Sequence, residues 1–212
     1  ALVRSRGLGD VYKSQRFKYP WAVEYAVSHE KVHWGEWEAK LQEDVAQWQG
    51  GKLNAQEKHH ITQILKLFTQ SDVQVGTNYL EHYIPKFKNN EIRAMLTSFA
   101  NREFVHQRSY ALLNDTLGLP ESEFSAFREY QAMADKVEYM ADIDMHSVSG
   151  TAKSIARSVM NEGMSLFSAI AMLLNYQRFG KMRGMCEIVE WSIRDESMPV
   201  SYTHLRAHET VL

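Results

Sequence analysis

One short run constrains the fold of this chain more than any other: Glu103-Phe-Val-His106-Gln-Arg-Ser-Tyr110. At 3.6 residues per helical turn, Glu103, His106 and Tyr110 stand at i, i+3 and i+7, so a carboxylate, an imidazole and a phenol share one helix face. Upstream the same face reads Ile92, Met95, Leu96 and Phe99, which marks it as the buried one. Polar groups on a buried face need partners. A metal ion is one solution. Carboxylate-bridged two-metal sites in four-helix bundles take a Glu-x-x-His from each of two helices and a lone acid from each of the other two. A chain built that way must carry the remaining ligands elsewhere.

From Arg16 to Met198 the pattern is helical, with Pro20, Pro85 and Pro120 as interior breakers, no fixed-period repeat and no low-complexity segment. Helices are expected from Trp21 to about Val32, from the Asn54/Glu57 capping box nearly to Pro85, and from the Asn89-Asn90 cap to Gly118. Further helices are expected over about Glu121–Met140 and Ala152–Tyr176, the second after a Ser147–Thr151 turn, with a last one beyond Gly180. The acidic stretch Trp34–Trp48 is loosely patterned; Trp34, Trp37 and Trp48 read as core or interface packing.

Three of these helices place further acids on faces that should be dry. Asp72 interrupts the stripe Ile61, Ile64, Leu65, Phe68, Val75, Tyr79; Glu162 lies between Val159 and Leu166; Glu196 follows Ile188, Val189, Ser192 and Ile193. One such acid reads most simply as a helix-margin residue paired with Lys or Arg. Four together, with His106, balance the charge of two divalent cations, and an oxygen-rich donor set suits iron or manganese better than zinc.

The two ends read differently from the middle. The nucleotide string of a transposase-type sequencing adapter, translated in one frame, gives residues 5–15 except at Ser14, where Arg would stand; in the opposite sense it gives Val200 to Thr210. Residues 1–15 and 199–212 are therefore expected to be adapter-derived artefact, with 16–198 as the native stretch. The two-metal template asks for a histidine three residues after Glu196, where Pro199 stands. The adapter begins with CT ahead of GTC, so a CCT codon at 199 would join a native C to adapter bases. Histidine codons begin with C, as do codons for Gln, Arg, Leu and Pro.

Over this native stretch the chain resembles the small (beta, radical-generating) subunit of class I ribonucleotide reductase, without its C-terminal part. The resemblance rests on Phe-Thr-Gln-Ser-Asp72, on Glu103 to Tyr110, on Asn-Glu162-Gly and on Trp-Ser-Ile-Arg-Asp195-Glu196-Ser-Met, with 31 residues from Asp72 to Glu103 and 34 from Glu162 to Glu196. It implies an all-α, ferritin-like bundle, left incomplete here, with two iron ions, manganese ions or a mixed pair. Asp72, Glu103 and His106 would hold one ion and Glu162 and Glu196 the other, Tyr110 would store a radical, and Trp34 (or its neighbour Trp37) and Asp195 would pass it onward. Leu166 and Ile170 would shelter the radical. The implied partners are a second small subunit and the large (alpha) subunit that reduces ribonucleotides to deoxyribonucleotides. Lacking a ligand, later helices and a docking tail, the chain as it stands is expected to be inactive.

The alternative within the same donor set is a ferritin-like di-metal oxidase or iron-storage protein, which needs neither Tyr110 nor Trp34; a plain helical scaffold with surface-paired acids is a third. Composition excludes other classes. The 212-residue chain, 44% apolar, fits one domain with a sizeable core, and a net charge of −2 gives no case for nucleic acid. The lone Cys186 rules out a disulfide framework within the chain and fits a reduced, cytoplasmic setting. No transmembrane segment is expected.

Overall fold

The computed structural model describes residues 17–122 and 130–206, with side chains as far as 197. Eight helices carry the architecture: α1 (Pro20–Lys31), α2 (Gln42–Gln49), α3 (Ala55–Asn78), α4 (Asn90–Leu117), α5 (Gln131–Ala141), α6 (Val148–Met160), α7 (Leu166–Leu174) and α8 (Arg183–Arg206). Among the described residues there is no strand.

The local chemistry sets most boundaries. Pro20 opens α1, where its missing N–H would have had no partner anyway. Asn54 accepts from the Glu57 amide at 2.9 Å while the Glu57 carboxylate accepts from the Asn54 amide, closing the capping box of α3. The Asn89 side chain caps α4, and Gly118, at φ 71°, ends it.

Three expected boundaries differ. Ser147 is a cap rather than part of a turn: its Oγ accepts from the Gly150 amide at 2.8 Å, so α6 begins at Val148. The expected single helix to Tyr176 is instead α6, a π-turn at Asn161–Ser165, α7 and a 3-10 turn at Asn175–Phe179. The rod containing α3 likewise passes through a π-turn at Tyr79–Tyr83 before Ile84–Lys86. Part of the expected Glu121–Met140 helix, residues 123–129, lies outside the described residues; α5 accounts for its second half.

The start of α8 is held from outside. Buried Asp44 on α2 accepts from the amides of Gly184 (3.1 Å) and Met185 (2.6 Å), supplying the cap that α8 does not carry itself. Replacing Asp44 with alanine strands two buried donors and is expected to cost about 2–4 kcal/mol. Denaturant unfolding measures it, and Asp44→Asn, which keeps an acceptor, should lose less than half as much.

Two apolar clusters fill the bundle. One gathers Ile61, Leu65 and Phe68 of α3, Val105, Tyr110 and Leu113 of α4, Leu166, Ile170 and Leu173 of α7 and Ile188 and Val189 of α8. The other gathers Val75 and Tyr79, Met95 and Phe99 of α4, Ala22 of α1 and Met140 of α5. The α3 stripe runs from the first cluster to the second with Asp72 between, and the α4 stripe runs back with Glu103 and His106 between. The seam is therefore a polar layer inside the bundle. Gly76 lets α3 and α4 approach there: a Cβ on it would meet Gln107 Nε2 at 3.2 Å and Glu103 Cβ at 3.5 Å. Gln107 bridges the same two helices by donating to the Asp72 carbonyl at 2.9 Å.

Candidate metal centre

Asp72, Glu103, His106, Glu162 and Glu196 are exposed by 5%, 4%, 1%, 3% and 4%, so all five side chains are buried. Glu162 sits in the π-turn after α6, whose extra residue re-aims the side chains that follow, a device common at functional sites.

One ligand atom from each of Glu103, His106 and Glu196 lies within 4.8 Å of the others. His106 Nδ1 is 3.2 Å from Glu196 Oε1 and 3.8 Å from Glu103 Oε2. Asp72 and Glu162 stand outside this closest trio but interact electrostatically with it. The five expected ligands thus share one buried layer, three in immediate contact. Position 199 lies beyond the described side chains.

The electrostatics show what the layer lacks. Burial holds the Asp72 carboxyl far above the usual range, with Glu103 and Glu196 adding to the rise and His106 opposing it. Burial and Glu196 push Glu103 up to about 7. Burial, then Glu196, Glu103 and Asp72, raise Glu162 well above its ordinary value. Burial alone would lower His106, but its contacts with Asp195, Glu103 and Glu196 outweigh that and hold it well above. Without cations the layer retains protons that carboxylates normally lose. Asp72 Oδ2 and Glu196 Oε2 are fully buried with no hydrogen-bond partner. Unpartnered oxygens among crowded acids and an imidazole are the donor set that a divalent metal would satisfy, and the residues fit one.

His106 is also oriented for that role. Its Nε2 faces Asp195 Oδ2 at 3.3 Å, and a carboxylate acceptor there would keep the proton on Nε2 when a metal ion replaces the proton on Nδ1, which points toward Glu103 and Glu196. The same Asp195 oxygen accepts from Trp34 Nε1 at 2.7 Å, and the Trp34 ring stacks on His106 with centroids 5.8 Å apart. Trp34 is 2% exposed and Trp37 is 69% exposed, so the tryptophan that meets Asp195 is Trp34, and Trp37 is not part of this chain's core.

Tyr110, one turn beyond His106, is buried and donates to Ser192 Oγ at 3.3 Å. Burial and the nearby Asp72 raise its pKa far above the ordinary phenol value, so it remains protonated. Leu166 and Ile170 belong to its apolar cluster, and Phe68, which the sequence did not mark as a neighbour of Tyr110, packs ring to ring at 5.3 Å.

Sequence reasoning missed Arg102, Ser192 and Tyr79 as neighbours of the site. Arg102 had a signal, since it stands at i+3 from Phe99 in a stripe that should be apolar. A small cavity beside Glu162, lined also by Asn78, Asn161 and Arg157, is at the lower limit of what holds one water molecule.

A helical bundle whose interior layer is built from carboxylates and one histidine defines a ferritin-like metal-binding class. Within it, the chain belongs to the ribonucleotide reductase small-chain family, whose description matches residues 12–211. A probable ribonucleoside-diphosphate reductase small subunit of Invertebrate iridescent virus 3 is 37% identical over 199 residues, covering 85% of this chain and 52% of the viral protein. The ribonucleoside-diphosphate reductase subunit beta of Chlamydia pneumoniae is 26% identical, over 91% of this chain and 60% of its own length. The chain thus spans about half the length of such curated relatives. In fold it is similar to the dimanganese(II) NrdF of Streptococcus sanguinis (TM-score 0.77, 21% identity, 88% of this chain and 67% of that one). It is also similar to an R2-like ligand-binding oxidase of Sulfolobus acidocaldarius (TM-score 0.76, 17% identity, 90% and 75%). Among the described residues no helix is long and apolar enough to cross a membrane.

Proposed function

We propose that this chain is part of the radical-generating small subunit of ribonucleoside-diphosphate reductase. Asp72, Glu103 and His106 would hold one metal ion and Glu162 and Glu196 the other, iron, manganese or one of each, with a histidine in place of Pro199 completing the set in the uninterrupted protein. When bound, the metal pair would supply, with dioxygen as oxidant, the oxidising equivalent by which Tyr110 loses an electron together with its phenolic proton. The chain's own residues do the rest. Asp195 fixes the His106 tautomer, Asp72 is the carboxylate with the largest influence on the Tyr110 phenol, and Phe68, Leu166 and Ile170 keep water from its ring. Trp34, bonded to Asp195, begins the line along which the oxidising equivalent leaves toward a large subunit, with two small subunits paired as a homodimer.

The observation that carries this reading is the single buried layer in which metal donors, Tyr110 and the Trp34–Asp195 pair are neighbours. A metal store or simple oxidase would need only the first of these. Electron spin resonance after adding iron(II) and dioxygen to the full-length protein should show a tyrosyl radical, and Tyr110→Phe should remove it completely. Metal uptake without any radical would leave the oxidase or storage reading instead.

A further inference from the structure

The segment that carries Trp34 is irregular: it lies between α1 and the 3-10 turn Glu36–Glu38, so no helix ladder fixes its carbonyls. They are held from elsewhere. Arg102, 3% exposed, donates from Nη1 to the Trp34 carbonyl at 3.3 Å and from Nη2 to the His29 carbonyl at 3.2 Å. Its Nε stands 3.8 Å from Asp195 Oδ2, the oxygen that also meets Trp34 and His106. On the solvent side Arg194 Nη2 donates to the Val32 carbonyl at 2.8 Å. Asp195 Oδ1 makes no hydrogen bond and only a 4.0 Å ion pair with Arg194 Nε, so the contacts with Trp34, His106 and Arg102 all fall on Oδ2.

We propose that Arg102 is the positioning residue that keeps Trp34 in contact with Asp195 and His106, by tying the Trp34 carbonyl of the irregular segment and the His29 carbonyl in the last turn of α1 to α4 and the α8 carboxylate at once. The inference rests on the radical-transfer reading of Trp34. A guanidinium is suited to the task because its planar fork holds several acceptors in fixed directions, which a lysine ammonium on a flexible stem cannot do. Arg102 touches neither the expected ligands' donor atoms nor Tyr110 through any of these bonds, so its loss should spare radical storage and impair radical passage. A displacement of about 1 Å at a reacting contact can cost roughly 100-fold in rate.

Two measurements test this, one independent of the functional reading. In the metal-free chain, hydrogen exchange at the Trp34 indole N–H, assigned with Trp34→Phe, should accelerate at least about tenfold in Arg102→Met and by less in Arg102→Lys. Exchange at the wild-type rate in Arg102→Met overturns the proposal whatever the chain does with metals. In the full-length, metal-loaded small subunit assayed with a large subunit, Arg102→Met should keep the Tyr110 radical yield within about twofold of the same protein with Arg102 intact. Its kcat should fall at least about tenfold at unchanged KM, with partial recovery in Arg102→Lys. Radical yield and kcat falling in proportion would show a general structural role and overturn the proposal. A full-length protein with Arg102 intact that forms no radical would instead refute the proposed function, leaving the exchange result to decide the role of Arg102.

Discussion

Replacing His106 with alanine is expected to reduce manganese(II) affinity by about 100-fold or more. Loss of even an outer partner of a ligating histidine costs roughly 10–100-fold, and His106 would be a ligand itself. It is also the only nitrogen donor in the trio with Glu103 and Glu196, and removing it leaves acids whose mutual repulsion a weakly held ion must offset. Asp195→Asn, which disturbs only the partner that orients the ring, should lie near the lower end of that range. Titration calorimetry with manganese(II) distinguishes them. Equal affinity in wild type and His106→Ala would remove His106 from the site.

The second large effect concerns the metal-free protein, which should lose stability as pH rises past neutrality. Glu103 moves from an ordinary 4.5 to about 7 in the fold, so the folded state keeps a proton that the unfolded chain releases. That contribution is present in full below about pH 4.5 and is lost as pH climbs to about 7, a change of about 3 kcal/mol at roughly 1.4 kcal/mol per pKa unit. Asp72 and Glu162 are raised as well and act in the same direction. His106, also raised, stabilises fully below its unfolded value and loses that contribution as pH rises through its folded one. His29 opposes them, because burial lowers it to about 4 and its contribution grows as pH rises from about 4 to 6.5. The clean window therefore opens about one unit above the unfolded histidine value of 6.5, near pH 7.5, where His29 is almost wholly neutral in both states. With a chelator present, denaturant unfolding at about pH 9 should give a smaller free energy than at about pH 7.5. Glu162→Gln should recover about 1–3 kcal/mol at the higher pH, since it removes a buried charge with no ion beside it. Saturating manganese should flatten the profile through binding to the folded state alone.

Much of this was legible because helical periodicity reports burial directly. Every apolar member of the α3 stripe from Ile61 to Tyr79 is buried, and so is Asp72. An acid inside such a stripe is visible in the sequence because its cost must be met in the fold. Glu103, Glu162 and Glu196 were found by the same argument.

What escaped was set by tertiary contact. Nothing in the local pattern of residues 161–165 announces a π-turn, since its geometry answers to what Glu162 must face. Trp34 and Trp37 are equivalent in composition, and only the fold buries one against Asp195 while leaving the other in solvent. The cap of α8 was invisible for a similar reason, because Asp44 lies 140 residues before Gly184. Arg102 was overlooked because a charge beside Glu103 reads as the edge of the face, whereas its guanidinium reaches back to the carbonyls of His29 and Trp34.

The measurement that bears most directly on the central claim is anomalous diffraction from crystals of the Pro199→His chain grown with manganese(II). The account predicts two manganese peaks inside the bundle, one against Asp72, Glu103 and His106 and the other against Glu162 and Glu196. Manganese found only at surface acids, with the buried layer empty, would contradict it.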